Sequence, residues 1–123
     1  MRTESAYGGD NPACTSGLDE PFQRLSVAGA MRVIQGGNVQ VVDVRWRDDY
    51  LDGHIPGAVQ IPLYEILSRK NELRMECDIL LVCEVGVKSV LAAEMAAAIG
   101  CGRVYHLEGG MAEWLRQGYP MVD

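Results

Sequence analysis

Cys83 closes the apolar run Ile79-Leu80-Leu81-Val82 and opens the segment Cys83-Glu84-Val85-Gly86-Val87-Lys88-Ser89, after which an alanine-rich stretch begins. A thiol at such a strand-to-helix junction is placed to act as a nucleophile. The N–H groups of a short glycine-containing loop and of the first helical turn can converge on its sulfur, favouring a thiolate or an anion bound beside it. Gly86 allows a close backbone approach that a Cβ would oppose, and Lys88 brings a compact positive charge. Cysteine taken alone is more often a buried, inert residue, and Cys77 and Cys101 read that way.

The elements around this segment alternate between strand and helix. Phe22 to Leu25 reads as a short strand, and Ser26 as the N-cap of a helix through about Gln35 that Gly36-Gly37 closes. Val39 to Val44 is a run of β-branched residues that predicts a buried strand. A helical turn follows over Asp48 to Leu51, then a bend at Gly53-His54-Ile55-Pro56-Gly57 and a short strand over Ala58 to Ile61. The pattern predicts a helix from Pro62 or Leu63 to about Lys70, a strand over Asp78 to Val82, and a helix from Ser89 to Ile99 stopped by Gly100. A last strand covers Arg103 to Tyr105, and Gly109-Gly110 leads into a helix from Met111 to about Gln117. Such alternation argues for an α/β fold: a parallel sheet covered on both faces, whose ligands gather at the carboxyl ends of its strands. Cys83 stands at one of those ends.

Composition bounds the partners. The chain has 123 residues, enough for one domain with its own core, and its formal net charge is −6. It offers no basic stripe for nucleic acid and no apolar stretch long enough to span a bilayer. Residues 1–21 lack the features of a secretory signal or a transit peptide, so the expected location is cytoplasmic with reduced thiols. That segment, rich in small and polar residues, reads as a flexible N-terminal arm, with residues 22–123 forming the domain. Cys14, within the arm, reads as an incidental exposed thiol. The four cysteines show neither CxxC spacing nor histidines at zinc-ligand spacing, so no metal or other cofactor is expected.

Four motifs together resemble the rhodanese family of sulfurtransferases, over about Phe22 to Val122. Asp43-Val44-Arg45 is similar to its D-x-R element, and Gly53-His54-Ile55-Pro56-Gly57-Ala58 to its G-H-I-P-G-A signature. Cys83 to Ser89 resembles the active-site loop C-x-x-G-x-R-S with Lys88 for arginine, and Leu107 to Trp114 resembles the closing L-x-G-G-x-x-x-W. The resemblance implies a rhodanese-like, five-stranded, largely parallel sheet with helices on both faces. It also implies that Cys83 accepts a sulfane sulfur as a persulfide and passes it to cyanide, a thiol or a sulfur-relay protein, with Glu84, Val85, Gly86, Val87, Lys88 and Ser89 forming the substrate-binding loop.

Two rivals are carried alongside. One is a non-catalytic rhodanese-like binding or regulatory module. The other is a phosphatase or arsenate reductase, and it is weaker: the cell-cycle dual-specificity phosphatases related in fold use a loop one residue longer, and lysine lacks the bidentate fork of arginine.

Some nearby groups carry plainer expectations. The resemblance suggests that Asp43 and Arg45 form a structural ion pair or loop anchor rather than an acid–base pair; His54 reads as a hydrogen-bonding loop residue rather than a general base, and Tyr105 and Trp114 as core. Glu84 is the open question. Facing solvent it would matter little, whereas lining the mouth it would disfavour a dianionic donor such as thiosulfate against a polysulfide or small persulfide.

Overall fold

The computed structural model describes residues 20–123. Five strands, β1 (Gln23–Leu25), β2 (Val39–Asp43), β3 (Val59–Gln60), β4 (Asp78–Val82) and β5 (Val104–Leu107), form one sheet in the order β1-β5-β4-β2-β3. Every pairing is parallel. Four helices connect or follow them: α1 (Val27–Gly36), α2 (Arg47–Asp52), α3 (Lys88–Ile99) and α4 (Gly110–Arg116). The arm expected over residues 1–21 falls almost wholly outside the described residues, as does Cys14. Glu20, counted with the arm, grips Arg24 of β1 through both carboxylate oxygens.

Alternation along the strands divides the core in two. Ile79, Leu81 and Cys83 point to the α3 face, where they pack with Val42, Val44, Ala92, Ala93 and Ala96. Leu80 and Val82 point the other way, onto Val27 and Ala30 of α1 and Met111 and Trp114 of α4. Small residues let α3 lie close to the sheet, and its buried positions Ser89, Ala92, Ala93 and Ala96 keep the spacing of a single helical face. Tyr105 and Trp114 are core as expected, and the Trp114 indole N–H donates to the Pro120 carbonyl at 2.9 Å.

Punctuation follows the sequence closely. The Ser26 side chain accepts from the Gly29 N–H and caps α1, and Gly37 in the left-handed region ends it. Two segments differ from expectation. The helix expected over 62–70 is instead a pair of 3₁₀ turns, Leu63–Glu65 and Lys70–Glu72, because only Ile66 in its middle is buried while Tyr64 and Leu67 face outward. One anchor does not offset the cost of nucleating so short a helix. The final strand runs on to Leu107, two residues further than expected, which brings His106 into the sheet. No helix among the described residues is long and apolar enough to cross a membrane.

Candidate active site

Strand β4 runs between β5 and β2, and its carboxyl end delivers Cys83 to the rim of the sheet at 2% exposure. The sulfur accepts the N–H of Gly86 at 3.1 Å and that of Ser89 at 3.2 Å. Ser89 is the second residue of α3, a helix whose first turn has no side-chain cap. The thiol therefore fills the role a capping oxygen would otherwise take, and the orphan amides of the helix start become donors to sulfur.

The far side of the loop is fixed by α4. The Met111 N–H donates to the Cys83 carbonyl at 2.8 Å and the Ala112 N–H to the Glu84 carbonyl at 2.9 Å. With both carbonyls turned outward, the later loop amides are left facing the sulfur. The approach is so close that glycine is required at Gly110, where φ is +62° and a Cβ would stand 2.5 Å from the Cys83 carbonyl oxygen. Gly86 meets the same limit, since a Cβ there would stand 2.8 Å from the Gly109 nitrogen.

A cavity of about 180 Å³ opens above the sulfur, walled by Trp46, Val85 and Val87, with Arg45, Asp49, Glu84 and Lys88 also lining it. The walls are mainly apolar, and Trp46 leans on Tyr64 with ring centroids 5.1 Å apart. Lys88 is exposed and makes no ion pair among the described residues, so its ammonium can reach an anion in the mouth. Glu84 lines the cavity with its side chain 60% exposed, and its carboxylate meets Arg45 Nη1 at 3.2 Å. The question left by sequence is thus answered in an intermediate way: the glutamate faces the mouth, but with a cation against it.

Arg45 is itself anchored from behind. Its Nη2 donates to Asp43 at 2.8 Å and to the Gly53 carbonyl at 2.7 Å, with both Arg45 and Asp43 buried. Burial alone would pull the guanidinium down, but the Asp43 and Glu84 carboxylates outweigh it and raise its affinity for the proton. This is the structural ion pair that the family resemblance implied for the two residues. His54 is a hydrogen-bonding loop residue as expected: its Nδ1 is 2.8 Å from the Tyr50 carbonyl oxygen and its ring stacks on Tyr50.

Sequence reasoning missed His106. The register pairs Leu81 with His106, and alternation puts both on the face that carries Cys83. The start of α3 sets Ser89 over the same spot, so Ser89 Oγ is 3.3 Å from Cys83 Sγ and 2.6 Å from His106 Nδ1. On the other side of the ring, Nε2 is 2.7 Å from Glu108 Oε1. The signal was present in the i, i+2 spacing of His106 and Glu108, but it means something only once the strand is known to reach residue 107. Among the described residues no group of three or more His, Cys, Asp or Glu side chains is arranged to hold a metal ion.

A cysteine cradled by amides at the carboxyl end of a parallel strand, followed by an arginine-anchored mouth, defines a class. The model for the rhodanese-like domain matches residues 26–117, and the chain belongs to that family. It is 40% identical over 75 residues to the uncharacterized protein YqhL of Bacillus subtilis, covering 61% of this chain and 60% of that protein. The chain thus spans under two thirds of the length of that relative. It is 33% identical over 93 residues to a sulfurtransferase of Allochromatium vinosum, covering 76% of this chain and 87% of that one. The crystal structure of a rhodanese-related protein from Thermoplasma volcanium superposes with a TM-score of 0.76 at 26% identity, covering 82% of this chain and 98% of that one.

Proposed function

We propose that the protein is a cytoplasmic sulfurtransferase that carries a sulfane sulfur as a persulfide on Cys83. The observation that carries this reading is the pair of N–H donors from Gly86 and Ser89 aimed at a sulfur on the floor of an open cavity. In the first half-reaction the thiolate attacks the outer sulfur of a donor. With thiosulfate, a new S–S bond forms, the donor S–S bond breaks, and sulfite leaves with the bonding pair. In the second, cyanide or a thiol attacks the outer sulfur, and Cys83 departs again as thiolate. The loop amides hold the sulfur while charge moves on and off it, at no reorganisation cost. Lys88 attracts the anionic donor, and the apolar side chains of Trp46, Val85 and Val87 flank the persulfide.

One observation favours a binding module as a second reading: Trp46, Tyr64, Val85 and Val87 are large apolar side chains exposed around the mouth. Such a rim also fits an acceptor protein, a sulfur-relay partner among them.

Intact mass after incubation with thiosulfate, and separately with a polysulfide, decides between them. The expected result is a gain of one sulfur on the reduced protein, absent in Cys83→Ser and discharged by cyanide with release of thiocyanate. Failure of both donors to load Cys83 would remove the enzymatic reading for those donors and leave the module.

A further inference from the structure

Behind Cys83 the polar groups form a continuous line into the protein. Sγ, Ser89 Oγ, the His106 ring and the Glu108 carboxylate follow one another at 3.3, 2.6 and 2.7 Å. Ser89 and His106 are fully buried, whereas Glu108 reaches solvent with its side chain 52% exposed. One arrangement of hydrogens satisfies every member: the thiol donates to Ser89 Oγ, the hydroxyl donates to His106 Nδ1, and Nε2–H donates to Glu108. The reverse arrangement also satisfies every member. With Nδ1 protonated, the imidazolium donates to Ser89 Oγ and the hydroxyl turns to donate to sulfur.

We propose that Ser89, His106 and Glu108 form a proton relay that draws the thiol proton of Cys83 inward and leaves a thiolate facing the cavity. The assignment deepens the sulfurtransferase reading and rests on Cys83 being its nucleophile. In the step itself the S–H bond breaks and sulfur keeps the pair. The proton passes to Ser89 Oγ as the hydroxyl proton passes to His106 Nδ1. Charge is conserved, since a thiolate and an imidazolium replace two neutral groups, and no co-reactant is needed. The thiolate then holds three hydrogen bonds, from the Gly86 and Ser89 amides and the Ser89 hydroxyl. Ser89 touches the reacting sulfur, while His106 and Glu108 act through it as positioning residues.

The surroundings support a charged ring at this depth. An unpaired buried imidazolium would be costly, and Glu108 supplies its counter-charge. Burial works to raise the Glu108 carboxyl, but the His106 hydrogen bond and the Arg24 guanidinium outweigh it and hold the group below the usual carboxylate range. Arg24 of β1 meets Glu108 at 3.2 Å and is itself held by Glu20 at 2.6 Å. The Phe22 ring stands edge-on to the imidazole at 5.9 Å and closes that side. Cys83 at the end of β4 is the titratable group facing the ring through Ser89 of α3, next to which Lys88 points outward.

The test is the pH profile of Cys83 alkylation by iodoacetamide, located by peptide mapping, for the native chain, Ser89→Ala, His106→Gln and Glu108→Gln. At about pH 6 the serine and histidine variants are expected to alkylate about tenfold more slowly than the native chain and to catch up above about pH 9. Glu108→Gln should fall between. A purely structural role would lower thermal stability without displacing the profile. If His106→Gln does not fold, Glu108→Gln decides, because the substitution lies at the solvent edge. Profiles of the folded variants that superimpose on the native one overturn the relay. Alkylation needs no sulfur donor, so a displaced profile in a protein that loads no sulfur would sink the sulfurtransferase reading alone. Loading of sulfur with undisplaced profiles would sink the relay alone.

Discussion

On either side of Cys83 the sheet carries a polar cluster, and the two are built from different chemistry. At the end of β2, Arg45 is gripped by Asp43, the Gly53 carbonyl and Glu84. Its charge is permanent, so this cluster cannot pass a proton and serves as an anchor for the mouth. At the end of β5, the Ser89, His106 and Glu108 cluster has the same depth but contains an imidazole, whose ring nitrogens can act as donor or acceptor where a guanidinium only donates. The sulfur thus has one flank of fixed charge that shapes its cavity and another whose hydrogen bonds can run in either direction. Similar burial allows different chemistry because a guanidinium can only donate hydrogen bonds, whereas an imidazole can also accept them.

The sharpest way to break the fixed flank is to leave its cation unpaired. Asp43→Ala is expected to cost about 3 to 5 kcal/mol in urea unfolding, since a buried guanidinium would lose its principal partner. A loss under about 1 kcal/mol would show that Glu84 alone suffices to hold it.

Gly110→Ala probes the backbone that both flanks share. It sets a Cβ against the Cys83 carbonyl at a left-handed φ and should cost about 2 to 3 kcal/mol while slowing Cys83 alkylation at every pH.

The titratable flank should answer to acid. Glu108 holds its carboxyl below the ordinary value, so its contribution is present above the unfolded carboxylate range and fades as pH falls through that range, about 4.3, toward the folded value. Glu108→Gln is therefore expected to differ from the native chain in unfolding at neutral pH, by less than about 1 kcal/mol because the group is half exposed, and to converge with it in acid.

Glu84→Gln is the mildest change. Folding should be nearly unaffected, and thiosulfate should gain on polysulfide as donor, by about twofold to fivefold, because one of the two charges facing Arg45 is removed. Unchanged relative donor rates would mean that Arg45 already cancels the glutamate.

How much of this could be read from sequence depended on whether a residue's neighbours were local. The strand-loop-helix around Cys83 was legible because its signals are contiguous: an apolar run, a glycine, then alanines at helical spacing. The Asp43 and Arg45 pair was legible through the resemblance of their contiguous segment to the family's D-x-R element. Residues 62–70 were misread because apolar spacing alone does not reveal that Tyr64 and Leu67 would face outward. His106 was missed because a polar side chain ended the apparent apolar strand, and its partner Ser89 is 17 positions away. The role of Gly110 needed the fold as well, since the carbonyl it must admit belongs to Cys83.

The grip of α4 on the Cys83 and Glu84 carbonyls also sets an order of assembly. Synthesis makes Cys83 before Met111 and Ala112, so while those residues are being added the chain carries the thiol without the amides that hold the loop carbonyls. The loop is pinned on both sides only when that last described helix docks, and a chain cut short before Met111 would hold Cys83 by the Gly86 and Ser89 amides alone.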